Sequence, residues 1–126
     1  MDKKILIVDD EPHLRLLISR ALQDLEDEGV ELLIANDGEA GLELIQDEQP
    51  QLVFLDVMMP KKNGFEVCNI VKNELRIVDI YIILLTAKGQ EIDVQHGQQV
   101  GADLYLTKPF DPDDLLARAR SILGFD

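Results

Sequence analysis

The stretch Gln51–Gly64 reads QLVFLDVMMPKKNG, and the point where it changes character decides the fold. Gln51 to Leu55 is an apolar run of strand length, the pattern of a strand buried on both faces. It stops at one carboxylate, Asp56. Val57, Met58, Met59 and Pro60 then lead into Lys61-Lys62-Asn63-Gly64, a loop by composition. The same change recurs along the chain. Lys4 to Val8 (KILIV) ends at Asp9 and Asp10, and Ile80 to Leu85 (IYIILL) ends at Thr86. The short run Leu104 to Leu106 is followed by Lys108 and then Pro109. Helical patterns lie between these runs, and such alternation predicts an α/β fold with a parallel sheet. In that sheet all these polar groups share one edge, the edge where open α/β sheets bind ligands.

The intervening segments fill in the units. Leu14, Leu17, Ile18, Ala21 and Leu25 recur at helical spacing behind Pro12, which a first turn tolerates, and Gly29 ends that helix. Glu31 to Ala35 is a second strand and Asn36-Asp37-Gly38 a turn. Glu39 to Asp47 is a short helix, broken by Gln49-Pro50. Gly64 to about Leu75 is a third helix with Val67, Val71 and Leu75 on one face, and Gly64 serves the backbone geometry of its entry. Gly89 to Gln99 reads as a short, marginal helix: Ile92, His96 and Val100 could share a face, but the segment is Gln-rich with few apolar residues and Gly97 is a weak helix former. Asp111 caps the last helix with Pro112 at its first position, and Leu115, Leu116, Ala119, Ile122 and Leu123 form its apolar face. Five βα units result, with right-handed crossovers placing helices on both faces of the sheet.

Composition bounds the function. A chain of 126 residues, 46% hydrophobic, is expected to be one domain, residues 1–126, with a real core. No repeat, linker or low-complexity stretch is visible, and with three residues after Leu123 no output domain is expected within this chain. The apolar runs are too short for a membrane span and no signal peptide opens the chain, so a cytoplasmic location is expected. The net charge is −13, from 12 basic and 25 acidic residues, which argues against direct nucleic-acid binding by this domain. The single cysteine, Cys68, cannot form an internal disulfide and sits in an apolar helical pattern, as a buried structural thiol does.

Taken singly, the polar residues at the strand ends have ordinary readings. One acid beside Glu11 would cap the first helix, but a second has no cap to make. Asp56 alone would be a loop residue, Thr86 suits a strand or turn, and Lys108 a solvated surface. Met58 and Met59 suit packing, and Tyr105 alone would fill core. Their joint placement argues for chemistry. Asp9, Asp10 and Asp56 repel one another, and one ammonium cannot neutralise three carboxylates. A divalent cation can, and hard oxygen ligands suit Mg²⁺. The metal would let one carboxylate act as a nucleophile toward a phosphoryl group. The Thr86 hydroxyl and the Lys108 ammonium would hold the oxygens of the acyl phosphate.

VDDE (Val8 to Glu11), DVMMPKKNG (Asp56 to Gly64), LLTA (Leu84 to Ala87) and YLTKPF (Tyr105 to Phe110) together resemble the receiver domain of two-component response regulators, the CheY-like family. The pieces occur in the family's order and span nearly the whole chain. The resemblance implies a flavodoxin-like (βα)5 three-layer sandwich with strand order 2-1-3-4-5. It implies that Asp56 is the phosphoacceptor, that Asp9, Asp10 and Asp56 bind Mg²⁺ with the backbone carbonyl of Met58, and that Thr86 and Lys108 read the phosphate. It further implies that Tyr105 is the ring that moves on activation, coupled to Thr86, and that residues 89–99, the last strand and the last helix form the output face. The implied partners are a histidine kinase or phosphotransfer protein and a downstream protein target or output domain. A phosphorylation-dependent dimer is compatible with this. In this family the Lys108–Pro109 peptide bond is commonly cis.

Other functions on this fold class lack their signatures. A flavodoxin-like FMN carrier needs a Ser-, Thr- and Gly-rich loop after the first strand, where this chain has Asp-Asp-Glu-Pro. The P-loop motif G-x-x-x-x-G-K-[ST] is absent. Haloacid dehalogenase-like phosphatases carry a second Asp two residues after the nucleophile, a position occupied here by Met58. The chain is therefore expected to catalyse its own phosphorylation and dephosphorylation and not to be a general phosphatase. The alternative is a pseudo-receiver, an interaction module that never takes phosphate. Such modules typically lose Asp56, one of the acidic pair or Lys108, and all are present.

Overall fold

A computed structural model of the chain describes residues 3–59, 61–86, 100–108 and 110–125. Five strands form one parallel sheet: β1 (Lys4–Val8), β2 (Glu31–Ala35), β3 (Leu52–Asp56), β4 (Tyr81–Thr86) and β5 (Leu104–Thr107). Their order is β2-β1-β3-β4-β5, as the family resemblance implied. All five strands run parallel, and the strand order reverses between β1 and β3, the switch point where a crevice opens at the carboxyl ends.

The strand sequences sort into two cores by pleat. Leu6, Val8, Val53, Leu55, Ile82 and Leu84 point to one face, where they meet α3 (Gly38–Glu48) and α4 (Gly64–Asn69) through Ile45, Phe65, Val67 and Cys68. Ile5, Ile7, Leu52, Phe54, Ile83 and Leu85 point to the other, against α1 (Pro12–Ala21), α2 (Gln23–Asp27) and α5 (Pro112–Leu123). Each fully buried Leu or Ile stabilises the fold by about 1.5–3 kcal/mol. A double core of this kind can carry buried carboxylates that oppose folding.

Among the described residues the strands and helices expected from sequence are present, with informative differences. β3 and β4 run one residue further than their apolar runs, so Asp56 and Thr86 lie in the ladder, opposite Leu85 and Thr107. The first helix breaks at Leu22 into α1 and α2, with Leu22 itself fully buried. The third helix does not continue regularly to Leu75. After Asn69 it widens into a π turn over Ile70–Glu74, where Leu75 N–H bonds Ile70 O at 2.7 Å. The wider turn rotates the register, so Val67 and Val71 are buried while Leu75 is exposed. Helix entries are chemically capped: Asp37 accepts from Ala40 N–H, Asn63 and Glu66 form a capping box, and Asp111 accepts from Asp113 N–H ahead of Pro112. The expected helix over residues 89–99 and the Lys108–Pro109 bond lie outside the described residues.

Candidate functional site

Parallel strands β1, β3 and β4 deliver Asp9, Asp56 and Thr86 to the same end of the sheet. The expectation of a polar rim needs one correction. Asp9, Asp56 and Thr86 are buried, at 0%, 4% and 3% exposure, and of the three acids only Asp10 is exposed. The strands that carry these groups are covered on both faces, so their last residues stay inside the fold.

Carboxylate oxygens of Asp9, Asp10 and Asp56 all lie within 4.8 Å of one another. Lys108 N–H bonds Thr86 O at 2.7 Å, which extends the β4–β5 ladder by one residue and aims the lysine side chain inward. Its Nζ then donates to Asp56 Oδ1 at 2.8 Å and stands 3.8 Å from Asp9 Oδ2. Asp9 does not cap the first helix with Asp10; the cap position is Glu11, without a side-chain cap bond. Instead Asp9 Oδ1 accepts from Glu11 N–H at 2.9 Å, which folds the chain back around the carboxylate. Asp9 Oδ2 is buried and has no hydrogen-bond partner among the described residues. A buried carboxylate oxygen without a donor is costly, and burial pushes the Asp9 carboxyl up to about 6, helped by Asp56 and Asp10 and opposed by Lys108. Burial raises Asp56 as well, against the hydrogen bond and charge of Lys108 and the N–H of Met58.

Among the described residues the cluster therefore holds more negative charge than the Lys108 ammonium can answer. An orphaned oxygen on Asp9 beside two further hard oxygen donors fits a small divalent cation. The loop that follows Asp56 is held tightly. Gly64 N–H bonds Val57 O at 3.0 Å, and a Cβ on Gly64 would lie 2.5 Å from Asp56 O. Gly64 is thus required by close approach to the strand end, not by an unusual backbone angle.

A family model for the response regulator receiver domain matches residues 5–120. The chain belongs to this family. It is 42% identical over 123 residues to the alkaline phosphatase synthesis transcriptional regulatory protein PhoP of Bacillus subtilis, covering 98% of this chain and 49% of that protein. It is 45% identical over 121 residues to the phosphate regulon transcriptional regulatory protein PhoB of Pseudomonas aeruginosa, covering 96% and 52%. The chain spans about half the length of the curated relatives it matches. Among solved structures, the BeF3-activated DrrB receiver domain superposes with TM-score 0.84 at 37% identity, covering 98% of this chain and 99% of that one. Chemotaxis protein CheY4 of Vibrio cholerae gives 0.83 at 33%, covering 97% and 99%. The receiver fold and the two-component context are thereby established.

Within this receiver domain the remaining expected residues separate. Tyr105 is half-buried on β5, opposite Leu84, and packs on the α3–α4 core. Met58 turns its side chain out, 65% exposed, so packing does not claim it. His13 is exposed, and Cys68 is a buried thiol pushed up to about 12 by burial, as inert as expected. Residues 89–99 of the expected output face lie outside the described residues. One contact went unforeseen: Arg15 donates from Nη1 to Asp9 O at 2.8 Å, tying α1 to the end of β1. Its only sequence signal is its place one turn into the helix after the acidic pair. Among the described residues no helix is long and apolar enough to cross a membrane.

Proposed function

We propose that this receiver domain takes a phosphoryl group onto Asp56 from a phosphohistidine of a histidine kinase or phosphotransfer protein, and signals through a surface that changes with phosphorylation. A carboxylate oxygen of Asp56 attacks phosphorus, the P–N bond breaks, and the imidazole leaves with that electron pair. Asp9, Asp10 and Asp56 would hold Mg²⁺, with the Met58 carbonyl as a further ligand. The ion supplies charge neutralisation at the transferring group, as phosphoryl transfer demands. Lys108 pairs with Asp56 before transfer and with a phosphoryl oxygen afterwards, and the Thr86 hydroxyl takes another. Movement of Thr86 toward the phosphate frees space beside β4 for the Tyr105 ring, a two-state element that phosphorylation biases. The domain promotes its own phosphorylation and dephosphorylation and is not a general phosphatase.

One observation carries the reading: three clustered carboxylates face the Lys108 ammonium, and the buried Asp9 Oδ2 has no hydrogen-bond partner among the described residues. Residues 1–126 act in this reading as one receiver unit, in the cytoplasm. Its net charge of −13 argues that any contact with nucleic acid is made by another domain or a partner. No observation favours the pseudo-receiver alternative, since Asp9, Asp10, Asp56 and Lys108 are all retained. The test is incubation with acetyl phosphate and Mg²⁺ followed by intact mass. One phosphate is expected on the wild type and none on Asp56→Asn. Labelling of that variant, or an unmodified wild type, refutes the assignment.

A further inference from the structure

Outside the acidic cluster, the tightest backbone approaches converge on the first turn of α3. Gly38 opens the helix, and a Cβ there would lie 2.0 Å from Lys62 O and 2.7 Å from Lys62 C. The obstacle is main chain and cannot turn aside. Gly38 has no left-handed angle, so close approach alone demands glycine. One turn on, a Cβ on Gly41 would lie 2.9 Å from both methyls of Val8, the residue before Asp9. Asp37, the cap of the same helix, accepts from Ala40 N–H at 2.9 Å with one oxygen and stands 3.6 Å from Lys61 Nζ with the other. Lys61 itself has φ +67, a conformation that costs a lysine energy and needs outside support. One helical turn thus touches the segment after Asp56 and the strand end that carries Asp9.

We infer that Gly38 and Asp37 are positioning residues for the reaction at Asp56: the α3 turn seats against Lys62 and holds Lys61, and so fixes the Lys61–Gly64 segment beside the phosphoacceptor. Gly64 passes this constraint to Asp56 through Val57 O. The idea rests on the proposed role of Asp56, but its mechanical part does not need the metal. A Gly-to-Ala change in an open helix position is stabilising. At position 38 the added methyl must push the Lys62 main chain away.

The test is Gly38→Ala, with Gly101→Ala as control. Gly101 lies beyond the opposite end of the sheet with φ +90, where a Cβ would crowd Lys72 Cβ at 3.1 Å, so this control is strained but remote. Two quantities are read: exchange of the Gly64 amide relative to the β1 amides in metal-free protein, and Mg²⁺ affinity. In Gly38→Ala the relative Gly64 protection should fall ~10-fold. Mg²⁺ binding should weaken ~5-fold, about 1 kcal/mol. Gly101→Ala should leave both at wild-type values. Unchanged Gly64 protection in Gly38→Ala, or an equal fall in the control, overturns the inference. A wild type that binds no Mg²⁺ overturns the reading of the site instead, and the exchange result still decides the positioning role. If Gly38→Ala does not fold, Asp37→Ser keeps a helix cap but releases Lys61, and should lower Gly64 protection ~3-fold. No change there is equally decisive against the idea.

Discussion

The two ends of the sheet use the same chemistry to opposite effect. At the amino ends of β4 and β5, Lys72 is buried with its side chain 8% exposed, yet its needs are met. Nζ lies 2.9 Å from Asp103 Oδ2 and donates to Ile80 O at 2.5 Å, and Asp103 also accepts from Ile82 N–H at 2.8 Å. One lysine answers one aspartate, and together they clasp the π turn to both strands. At the carboxyl ends, Lys108 pairs with Asp56 and Asp9 in a cluster of three aspartates, and Asp9 Oδ2 has no hydrogen-bond donor among the described residues. A matched pair fastens structure, whereas an unmatched cluster stores repulsion that a cation or a phosphoryl transfer can relieve. The fold bears this cost at the sheet edge where ligands are expected.

The largest expected effect breaks the mismatch itself. The folded protein holds the Asp9 proton more tightly than the unfolded chain, about 6 against 3.8. The stability from that proton is full below the unfolded value and is lost as pH rises through about 6. It amounts to at most about 3 kcal/mol, and Asp56 shifts in the same direction. Urea unfolding in chelator at about pH 4 and about pH 7 should therefore show Asp9→Asn losing less stability with rising pH than the wild type. Parallel pH profiles would mean that the Asp9 charge is not frustrated. Mg²⁺ should stabilise the wild type at the upper pH and do much less for the variant.

The opposite end should respond with the opposite sign. Lys72→Met keeps most of the packing but strands Asp103, which remains about a third exposed. A cost of about 2 kcal/mol in urea is expected, below the value for a fully buried pair because water screens Asp103. A neutral or stabilising result would make Lys72–Asp103 dispensable and erase the contrast. Smaller again is the effect of Asp10→Ala. It removes one hard ligand at an exposed position and should weaken Mg²⁺ binding ~10-fold, about 1.4 kcal/mol. Calorimetric titration showing wild-type affinity would remove Asp10 from the ligand set.

The smallest effect calibrates the others. Asp114 and Arg118 form an exposed i,i+4 pair on α5 at 2.8 Å. Asp114→Asn should change stability by less than about 0.5 kcal/mol, because solvent screens both charges. A loss comparable to that of Lys72→Met would show that burial is not what separates these ion pairs.

Much of this was legible in the chain. The runs KILIV, QLVFL and IYIILL announce strands because a sheet covered on both faces needs continuous apolar residues, and the polar residue ending each run marks the functional edge. The motifs around Asp9, Asp56, Thr86 and Lys108 pointed to the family, because four short pieces in that order are far more specific together than any one alone. Other features had no local signal. The break at Leu22 and the π turn after Asn69 leave helical periodicity nearly intact, so Leu75 was wrongly expected on the buried face. The contact of Gly38 with Lys62 joins residues far apart in the chain, and periodicity carries no information about such pairs.

The sequence by itself determined the α/β class, the strand ends that carry the acids and the family, since each follows from local pattern or from motif order. Tertiary structure alone decided how deeply those acids are buried, which oxygen of Asp9 is left without a donor, and which of two lysine–aspartate sites is balanced. The reason is physical. Burial and hydrogen-bond satisfaction are set by every neighbour that folding brings up, and the same Asp and Lys side chains become a fastener or a reactive centre according to how many of each arrive together.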